Sequence, residues 1–212
     1  MKEEHSRENV RETILKTAMG LFAKHGIKDV KMDDIASMLS VSKRTIYELF
    51  KDKEQLLVEA LELNNEIMRK KGKDIIRNSN DILEIILKLY DIYVKTLSNI
   101  SIKFFNDIKR YPELCKKKRH NDERNFKNFS SWLEEGRKQG LFREDAHFEI
   151  FSVTLRRNLE TIFISNLNAG DDELSRYTPH ELGKMIIVFY LRGISTPKGQ
   201  EIIEKYLEKN NI

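Results

Sequence analysis

Apolar residues recur at helical spacing along most of this chain. Between about Arg7 and Lys24 they form one stripe with the 3.6-residue period of an amphipathic helix, made by Val10, Ile14, Ala18, Leu21 and Phe22. Gly26 follows this segment, and glycine is the usual residue of a left-handed helix C-cap. The pattern predicts a first helix that ends just before Gly26.

Two short segments follow, and neither would be a stable helix alone, because nucleation costs more than one or two turns of hydrogen bonds return. They cover about Met32–Leu39 and Lys43–Phe50, with a break at residues 40–42. Their apolar residues can converge on one small core made by Ile35, Leu39, Val41, Ile46 and Phe50. This spacing predicts a helix-turn-helix.

From about Lys53 the predicted helices become longer. We expect them near residues 53–77, 81–100, 101–111, 112–139, 145–168, 178–192 and 197–209. Pro112, Pro179 and Pro197 each precede a helical segment, where a missing N–H costs nothing. The sequence predicts an all-α protein, with a three-helix helix-turn-helix domain over residues 1–53 and a larger helical bundle over residues 54–212.

The composition excludes several classes of protein. The 212 residues include only 9 Gly and 3 Pro, too few turn formers for a sandwich, a barrel or a doubly wound sheet. The single cysteine, Cys115, excludes an intramolecular disulfide framework and a multi-cysteine zinc site. The first residues lack the apolar stretch of a secretory signal, and the longest apolar run, Met185–Leu191, is too short to cross a membrane. We expect a soluble, cytoplasmic protein without a membrane partner.

Net charge does not identify a partner, but the positions of individual charges favour a nucleic acid. The total of +4 is divided equally between residues 1–53 and residues 54–212. Lys43 and Arg44 lie in the first turn of the predicted third helix, where the helix dipole disfavours each cation by about 0.3–1 kcal/mol. Phosphate oxygens or a guanine edge would stabilise them there, and a solvated basic helix end is the alternative.

Lys53 and Tyr47 suit the same partner. Lys53 begins a helix behind the capping residue Asp52, where it could contact a phosphate, although an ordinary surface lysine explains this residue equally well. Tyr47 is adjacent to Ile46 but on a different helix face, so it is exposed or in contact with a partner. A phenol suits a phosphate or a thymine methyl group.

Several motifs in a fixed order make residues 7–60 resemble the N-terminal domain of TetR-family transcriptional regulators. They are Ile14-Leu-Lys-Thr-Ala-Met-Gly-Leu-Phe-Ala-Lys-His-Gly26, Asp34-Ile-Ala36, Val41-Ser-Lys-Arg-Thr-Ile-Tyr47, Phe50 and Lys53-Glu-Gln-Leu-Leu57. The resemblance implies an all-helical homodimer whose third helix enters the major groove of double-stranded DNA. It also implies that Lys53 holds a phosphate and that the following residues face DNA: Ser42, Lys43, Arg44, Thr45, Tyr47 and Glu48.

The same resemblance implies a ligand-responsive regulator. It also favours repression over activation. The two reading helices of a dimer would lie about one DNA turn, roughly 34 Å, apart and would recognise a palindromic operator. An unknown small-molecule effector would shift the helix that begins at Lys53 and so weaken operator binding.

Three positions depart from the usual motif of this family. Val30-Lys31 replaces the Thr or Ser that caps the second helix, and Ser40 replaces the glycine of the turn. If Ser40 has a positive φ, it carries a penalty that glycine would avoid. Glu48 replaces an aromatic residue or His, and it could accept a hydrogen bond from a cytosine amino group or pair with a neighbouring lysine.

The body of the chain offers candidates for two further surfaces. A ligand pocket would lie among the middle helices, and Arg156 or its neighbour Arg157 must lie near a buried face, where it needs an acidic partner or an anionic ligand. The candidates for this pocket are Tyr90, Tyr93, Phe104, Phe105, Phe129, Trp132 and Arg156, although ordinary core packing explains the aromatic ones better. Two apolar stripes are expected to be shared between the core and a four-helix dimer interface, as the resemblance implies: Phe148, Phe151, Leu155, Leu159, Ile162, Leu182, Ile186, Phe189 and Tyr190.

No pattern in the sequence favours catalysis, a metal or a cofactor. The five histidines are far apart and form no i, i+4 pair, and acidic pairs such as Glu134-Glu135 are scattered. We therefore expect a protein that is not an enzyme. The alternative function is a helical protein-interaction module whose helix-turn-helix no longer reads DNA, which Ser40 and Glu48 favour.

Overall fold

A computed structural model describes residues 2–164 and 176–210, and these residues are almost entirely helical. The helices are α1 (Lys2–His25), α2 (Met32–Met38), α3 (Lys43–Leu49), α4 (Lys53–Arg77), α5 (Ile82–Ser98), α6 (Ile102–Ile108), α7 (Pro112–Lys138), α8 (Phe148–Ile164), α9 (Pro179–Ile194) and α10 (Pro197–Lys209). Within the described ranges there is no strand, and one isolated β-bridge joins Phe142 to Ser195. The all-α class predicted from the sequence is confirmed.

The helix boundaries follow the capping signals of the sequence. Helices α4 and α10 begin and end at the predicted residues. The start of α10 is set by Thr196, whose hydroxyl accepts from the backbone N of Gly199 at 3.3 Å, and by Pro197 in the first turn. Helix α1 begins at Lys2, earlier than the predicted Arg7. The apolar period did not extend the prediction to these first residues because they are polar. The predicted end of the eighth helix, near Asn168, lies outside the described residues.

The contacts group the chain into two compact units. Unit 1 comprises Met1–Gly72 and Asn99–Cys115, and unit 2 comprises Lys73–Ser98 and Lys116–Ile212. The chain therefore passes between the units three times. Helix α6 belongs to unit 1, although it follows α5 of unit 2 in the sequence. The division at residue 53 stays a prediction about where the helix-turn-helix domain ends.

Unit 1 has its own core. Ile14, Ala18 and Phe22 of α1 are buried against α2, α3, α4 and α6. Ile35 and Ile46 are fully enclosed, and burial of such side chains contributes about 1.5–3 kcal/mol each. This burial is what stabilises α2 and α3, each seven residues long.

The turn between α2 and α3 contains the strain that the sequence predicted. Ser40 has a φ of 54°, the left-handed conformation, and its neighbour Val41 donates from its backbone N to the carbonyl of Ala36 at 3.0 Å. An L-residue in this conformation costs about 1–2 kcal/mol, whereas glycine avoids the steric part of that cost.

Ser40→Gly is therefore expected to raise the free energy of unfolding by about 0.5–1 kcal/mol, because glycine recovers the strain but loses more entropy on folding. Urea denaturation followed by circular dichroism measures this change. Ser37→Gly, at an exposed position inside α2, is the control and should destabilise the protein. Equal destabilisation by both substitutions would contradict the assignment of strain to Ser40.

Unit 2 is a bundle of α5, α7, α8, α9 and α10. Its core includes the fully buried Leu83, Leu133, Leu191 and Ile203, one from each of α5, α7, α9 and α10. Helix α9 begins at a capping box, in which Thr178 Oγ1 accepts from the backbone N of Glu181 and the Glu181 carboxylate accepts from the backbone N of Thr178.

Candidate nucleic-acid interface

Helix α3 is held at its N-terminus and along its buried side. Ser42 Oγ accepts from the backbone N of Thr45 at 3.0 Å, and the two hydroxyls of these residues are 2.8 Å apart. Ile46 is fully buried, so the opposite face of the helix points away from the core of unit 1. Ser42 is exposed and Thr45 is partly buried.

The face of α3 opposite Ile46 is a polar, exposed surface. At about 100° per residue, Arg44 and Glu48 each lie roughly 160° from Ile46, on the outermost line of the helix. Lys43 and Tyr47 lie on one flank of that line. All four side chains are exposed, Tyr47 to 46%. Four of the six residues around α3 predicted to face DNA therefore share one accessible face of the helix, whereas Ser42 and Thr45 do not lie on it.

Both cations of this face are paired with carboxylates. Lys43 Nζ lies 2.8 Å from Asp33 Oδ1 of α2, and Arg44 Nε donates to Glu48 Oε1 at 2.9 Å. The hydrogen bond and the charge of Asp33 raise the pKa of Lys43. Exposed ion pairs contribute only about 0–1 kcal/mol, so either cation can exchange its carboxylate for a phosphate oxygen. The partner of Glu48 is an arginine and not the neighbouring lysine considered from the sequence.

Lys53 faces the backbone of the loop between α1 and α2. Its Nζ donates to the carbonyl of Ile27 at 2.8 Å and to that of Val30 at 2.9 Å, with Lys28 O at 3.4 Å. The side chain is half-buried, and its donors satisfy carbonyl groups that no helix ladder pairs. Lys53 thus fixes the loop to the start of α4, and a phosphate contact by this residue stays a prediction.

Lys53→Met should lower the free energy of unfolding by about 1.5–3 kcal/mol, because charge-assisted hydrogen bonds to partly buried carbonyls are lost. Thermal and urea denaturation measure the effect. Lys51→Met removes an exposed lysine two residues away and should change stability by less than about 0.5 kcal/mol. If the two variants are equally stable, Lys53 does not have the structural role assigned to it.

The loop between α1 and α2 is also held by α6, through residues that the sequence analysis did not identify. The backbone N of Lys28 donates to Asp107 Oδ2 at 2.7 Å, and Lys103 Nζ lies 2.8 Å from Asp29 Oδ2. Lys103 lowers the pKa of Asp29 through a hydrogen bond and its charge. More than 70 residues of sequence separate the partners, and opposite charge is the only sequence signal that they share. We call these two contacts the α6 clamp.

The aromatic ligand candidates do not lie together. Phe104 is buried in the core of unit 1, and Phe105 follows it on α6 with its ring centroid 6.3 Å away. Tyr90 belongs to the core of unit 2, and Phe129 and Trp132 pack against that core. Core packing therefore accounts for Phe104.

One candidate, Tyr90, has an unusual environment. Only 7% of its surface is exposed, and its hydroxyl is buried without a hydrogen-bond partner. Burial, together with Tyr93 and Tyr190, raises the pKa of Tyr90. A buried hydroxyl without a partner costs free energy that a polar group of a bound ligand could recover. Nearby, Phe151 stacks on Phe129 with centroids 5.9 Å apart.

The expectation that Arg156 or Arg157 lies near a buried face is wrong, because both side chains are exposed in the described structure. The apolar stripe of α8 turns inward, Arg157 lies on the opposite side of the helix, and Arg156 lies on an exposed flank. Arg156 therefore needs no acidic partner or anionic ligand.

The late helices divide their apolar residues between an inner and an outer side. Five of the predicted interface residues are buried in this chain itself: Phe148, Phe151, Leu155, Leu159 and Ile162. Three more are partly buried, namely Leu182, Ile186 and Tyr190, while Phe189 is 60% exposed. Ile150 and Val153 of α8 and Met185 of α9, which the sequence analysis did not select, are also exposed.

The described residues lack the features of two other classes of site. They contain no group of three or more His, Cys, Asp or Glu side chains that could hold a metal ion. None of the described helices has the length and apolar character needed to cross a membrane.

The described residues form a helix-turn-helix unit and a helical bundle, and comparison with known proteins shows what the chain is similar to. Residues 14–60 match the sequence model of the bacterial regulatory proteins of the tetR family. No curated protein sequence matches the chain.

Solved structures resemble the chain over most of its length. A transcriptional regulator from Saccharomonospora viridis in complex with choline is 21% identical, with a TM-score of 0.75 over 89% of this chain and 99% of that one. A TetR transcriptional regulator from Chloroflexus aurantiacus is 18% identical, with a TM-score of 0.68 over 90% and 98%. The ketosteroid transcriptional regulator of Mycobacterium tuberculosis is 19% identical, with a TM-score of 0.62 over 88% and 95%.

The chain therefore carries the N-terminal domain of the tetR family and has the all-helical fold of TetR-family transcriptional regulators. The matched domain implies regulation through DNA binding.

Proposed function

We propose that the protein is a homodimeric repressor that binds a palindromic DNA operator and is released by a small molecule. The observation that carries the proposal is the exposed face of α3, on which Arg44 lies opposite the buried Ile46 and Lys43 and Tyr47 lie on the flank. Such a face fits the major groove, and its cations are held only by exchangeable ion pairs. A regulator acts where its DNA is, so we assign it to the cytoplasm.

The roles of the reading residues follow from their positions on α3. Lys43 and Tyr47, on the flank, suit phosphate oxygens, whereas Arg44 and Glu48, on the outermost line, suit base edges. Ser42 and Thr45 are near the N-terminal turn, where their hydroxyls can contact the backbone of DNA in addition to each other.

Tyr47→Ala tests this surface. Operator affinity, measured by fluorescence anisotropy on a selected duplex, should fall by about 1–3 kcal/mol while the thermal transition stays unchanged, because Tyr47 is exposed. Tyr177→Ala removes a similarly exposed tyrosine from unit 2 and should leave affinity unchanged. If both variants bind like the wild type, α3 does not read DNA through this face.

The partner in the proposed dimer is a second copy of this chain. The exposed apolar side chains of α8 and α9 are Ile150, Val153, Met185 and Phe189. They lie on two helices that share one core, and a four-helix interface of the kind the family uses would cover them.

The proposed effector site is the interior of unit 2 around Tyr90. The buried hydroxyl without a partner would provide one polar contact, and Tyr190, which acts on Tyr90, packs on Phe151, which stacks on Phe129, so the same core supplies aromatic rings. Choline is a suitable first probe, because the similar structure from S. viridis binds it and aromatic rings attract quaternary ammonium groups. Steroids form the second group of probes, because a similar structure from M. tuberculosis is a ketosteroid transcriptional regulator.

The α6 clamp is the proposed link between effector and DNA. Helix α6 belongs to unit 1, and the chain continues into unit 2 on both sides of residues 99–115, so α6 is connected through the backbone to segments of both units. The clamp holds the loop that Lys53 fixes to α4, and α3 packs in the same core. Coupling of this kind typically amounts to about 1–3 kcal/mol.

Asp107→Ala tests the link. The variant should bind the operator but lose most of its response to an effector found by screening, as measured by anisotropy with and without that effector. Asp122→Ala, which removes an exposed carboxylate of α7, is the control and should respond normally. A full response of Asp107→Ala would exclude the clamp as the link.

A second function, a protein-interaction module, is favoured by one observation. The two ion pairs Lys43–Asp33 and Arg44–Glu48 make the exposed face of α3 neutral in sum. Salt dependence distinguishes the two functions. Affinity for duplex DNA through several phosphates falls steeply as salt rises, whereas a module without DNA binding shows no affinity for duplex at any salt concentration.

A further inference from the structure

Glu48 occupies one of the two positions of α3, together with Arg44, that point most directly away from the buried Ile46. It lies on the outermost line of the helix, its side chain is 57% exposed, and it carries the only carboxylate of α3. On a helix in the major groove, residues on this line meet the floor of the groove, while residues on the flanks meet phosphates. Glu48 would therefore face base edges.

A carboxylate in this position is selective because few groups of DNA can donate a hydrogen bond to it. Phosphates repel it, and so do the acceptor atoms N7 and O6 of guanine and O4 of thymine. Adenine offers an amino group, but an N7 acceptor lies beside it. Cytosine offers an amino donor and no acceptor on its own major-groove edge, so it is the base that a carboxylate tolerates best.

Arg44 has the complementary chemistry on the same line of the helix. Its side chain is 89% exposed, and its guanidinium donates from Nε to Glu48 at 2.9 Å and has the fork of donors that matches guanine N7 and O6. Glu48 limits the positions that this long side chain can adopt, and the guanidinium offsets the negative charge of Glu48 near the phosphates. The two side chains can contact one C·G pair or two adjacent pairs without breaking their ion pair.

We propose that Glu48 is a specificity-determining residue that selects cytosine at one position of each half-site, with Arg44 reading a guanine of the same or the adjacent base pair. The inference rests on the proposed DNA-binding function and extends it from a reading surface to a base preference. It requires no change in the fold, because both side chains are exposed.

The test is selection of preferred sites from a random duplex pool by the full-length wild type, Glu48→Gln and Glu48→Ala. The wild type should return a cytosine at one position of each half-site. Glu48→Gln should replace it with adenine, because an amide pairs with adenine N6 and N7. Glu48→Ala should lose the preference at that position alone. We expect discrimination against the other bases of about five- to 150-fold in the wild type.

Glu12→Gln is the matched control. Glu12 forms an exposed i, i+4 pair with Lys16 on α1, so the substitution removes the same charge and the same type of ion pair from another surface. This variant should return the wild-type site. Circular dichroism and thermal denaturation of every variant verify that the fold is retained.

The outcomes separate failure of the inference from failure of the proposed function. The same consensus from the wild type and both Glu48 variants would overturn the inference and leave DNA binding intact. Tighter binding of random duplex by the Glu48 variants with an unchanged base preference would also overturn it, because Glu48 would then act only by repelling DNA. No enriched site for the folded wild type would overturn the proposed function, and the inference with it.

Discussion

Phe189→Glu is expected to convert the protein to a monomer and to abolish tight operator binding. Phe189 is 60% exposed on α9 beside the exposed Met185, and Ile150 on α8 is 63% exposed. A carboxylate buried in the middle of a helical interface without a cation costs several kcal/mol, twice in a symmetric dimer. The substitution should not disturb the core, because the side chain does not contribute to it.

Light scattering after gel filtration measures the first part of this prediction. The wild type should have twice the chain mass of 25.1 kDa, and Phe189→Glu should have that mass once. Operator affinity should fall by about 10²- to 10⁴-fold, because the second half-site is no longer bound by a linked reading helix.

Ile76→Glu is the control, since Ile76 is an exposed apolar residue of similar size at the end of α4. It should remain dimeric with unchanged affinity. A dimeric Phe189→Glu would show that another surface joins the subunits. A monomeric wild type that still binds a palindrome tightly would contradict the role given to dimerisation.

Gly26→Ala is expected to destabilise unit 1 by about 2–4 kcal/mol. Gly26 has a φ of 91°, which costs an L-residue about 1–2 kcal/mol, and a Cβ there would lie 2.8 Å from Lys103 Cβ and 3.1 Å from Asp107 Oδ2. The new methyl group must push α6 away from the loop, which breaks the α6 clamp. The strain and the lost contacts together account for the expected loss.

Gly20→Ala is the matched control, and its expected effect on the free energy of unfolding has the opposite sign. Gly20 lies inside α1, is exposed, and has open space where a Cβ would be placed. The substitution should stabilise the protein by about 0.5–1 kcal/mol. Urea denaturation of both variants measures the two effects. If Gly26→Ala is as stable as Gly20→Ala, α6 does not pack against the loop as described.

The elements that the sequence predicted well are those set by local signals. Apolar period and capping residues gave the bounds of α4 and α10 and the convergence of Ile35, Ile46 and Phe50. The strain at Ser40 was also predictable, because the resemblance identified a turn position that normally requires glycine. These features depend on residues that are near each other in the sequence.

The features that the sequence did not predict depend on contacts between distant segments. Lys53 has the position expected for a phosphate ligand, but its donors are used by loop carbonyls 23 to 26 residues earlier in the chain. The Lys103–Asp29 pair joins segments 74 residues apart. No periodic pattern carries information about such contacts.

The apolar stripes of α8 illustrate a second limit of prediction from the sequence. Period alone locates both Phe151 and Ile150 on apolar faces of the helix, but only the folded chain shows that Phe151 is buried and Ile150 is exposed. For the same reason Arg156, which follows the inner stripe in the sequence, was assigned to the wrong side. A helix with apolar residues on two sides needs its neighbours to be known before the core side can be chosen.

Site selection from a random duplex pool, followed by anisotropy of the selected duplex at two salt concentrations, tests the central claim most directly. The account predicts a palindrome with half-site centres one helical turn apart, bound roughly tenfold or more weakly at 200 mM than at 50 mM salt. A folded protein that enriches no sequence and shows no affinity for duplex DNA at either concentration would contradict it.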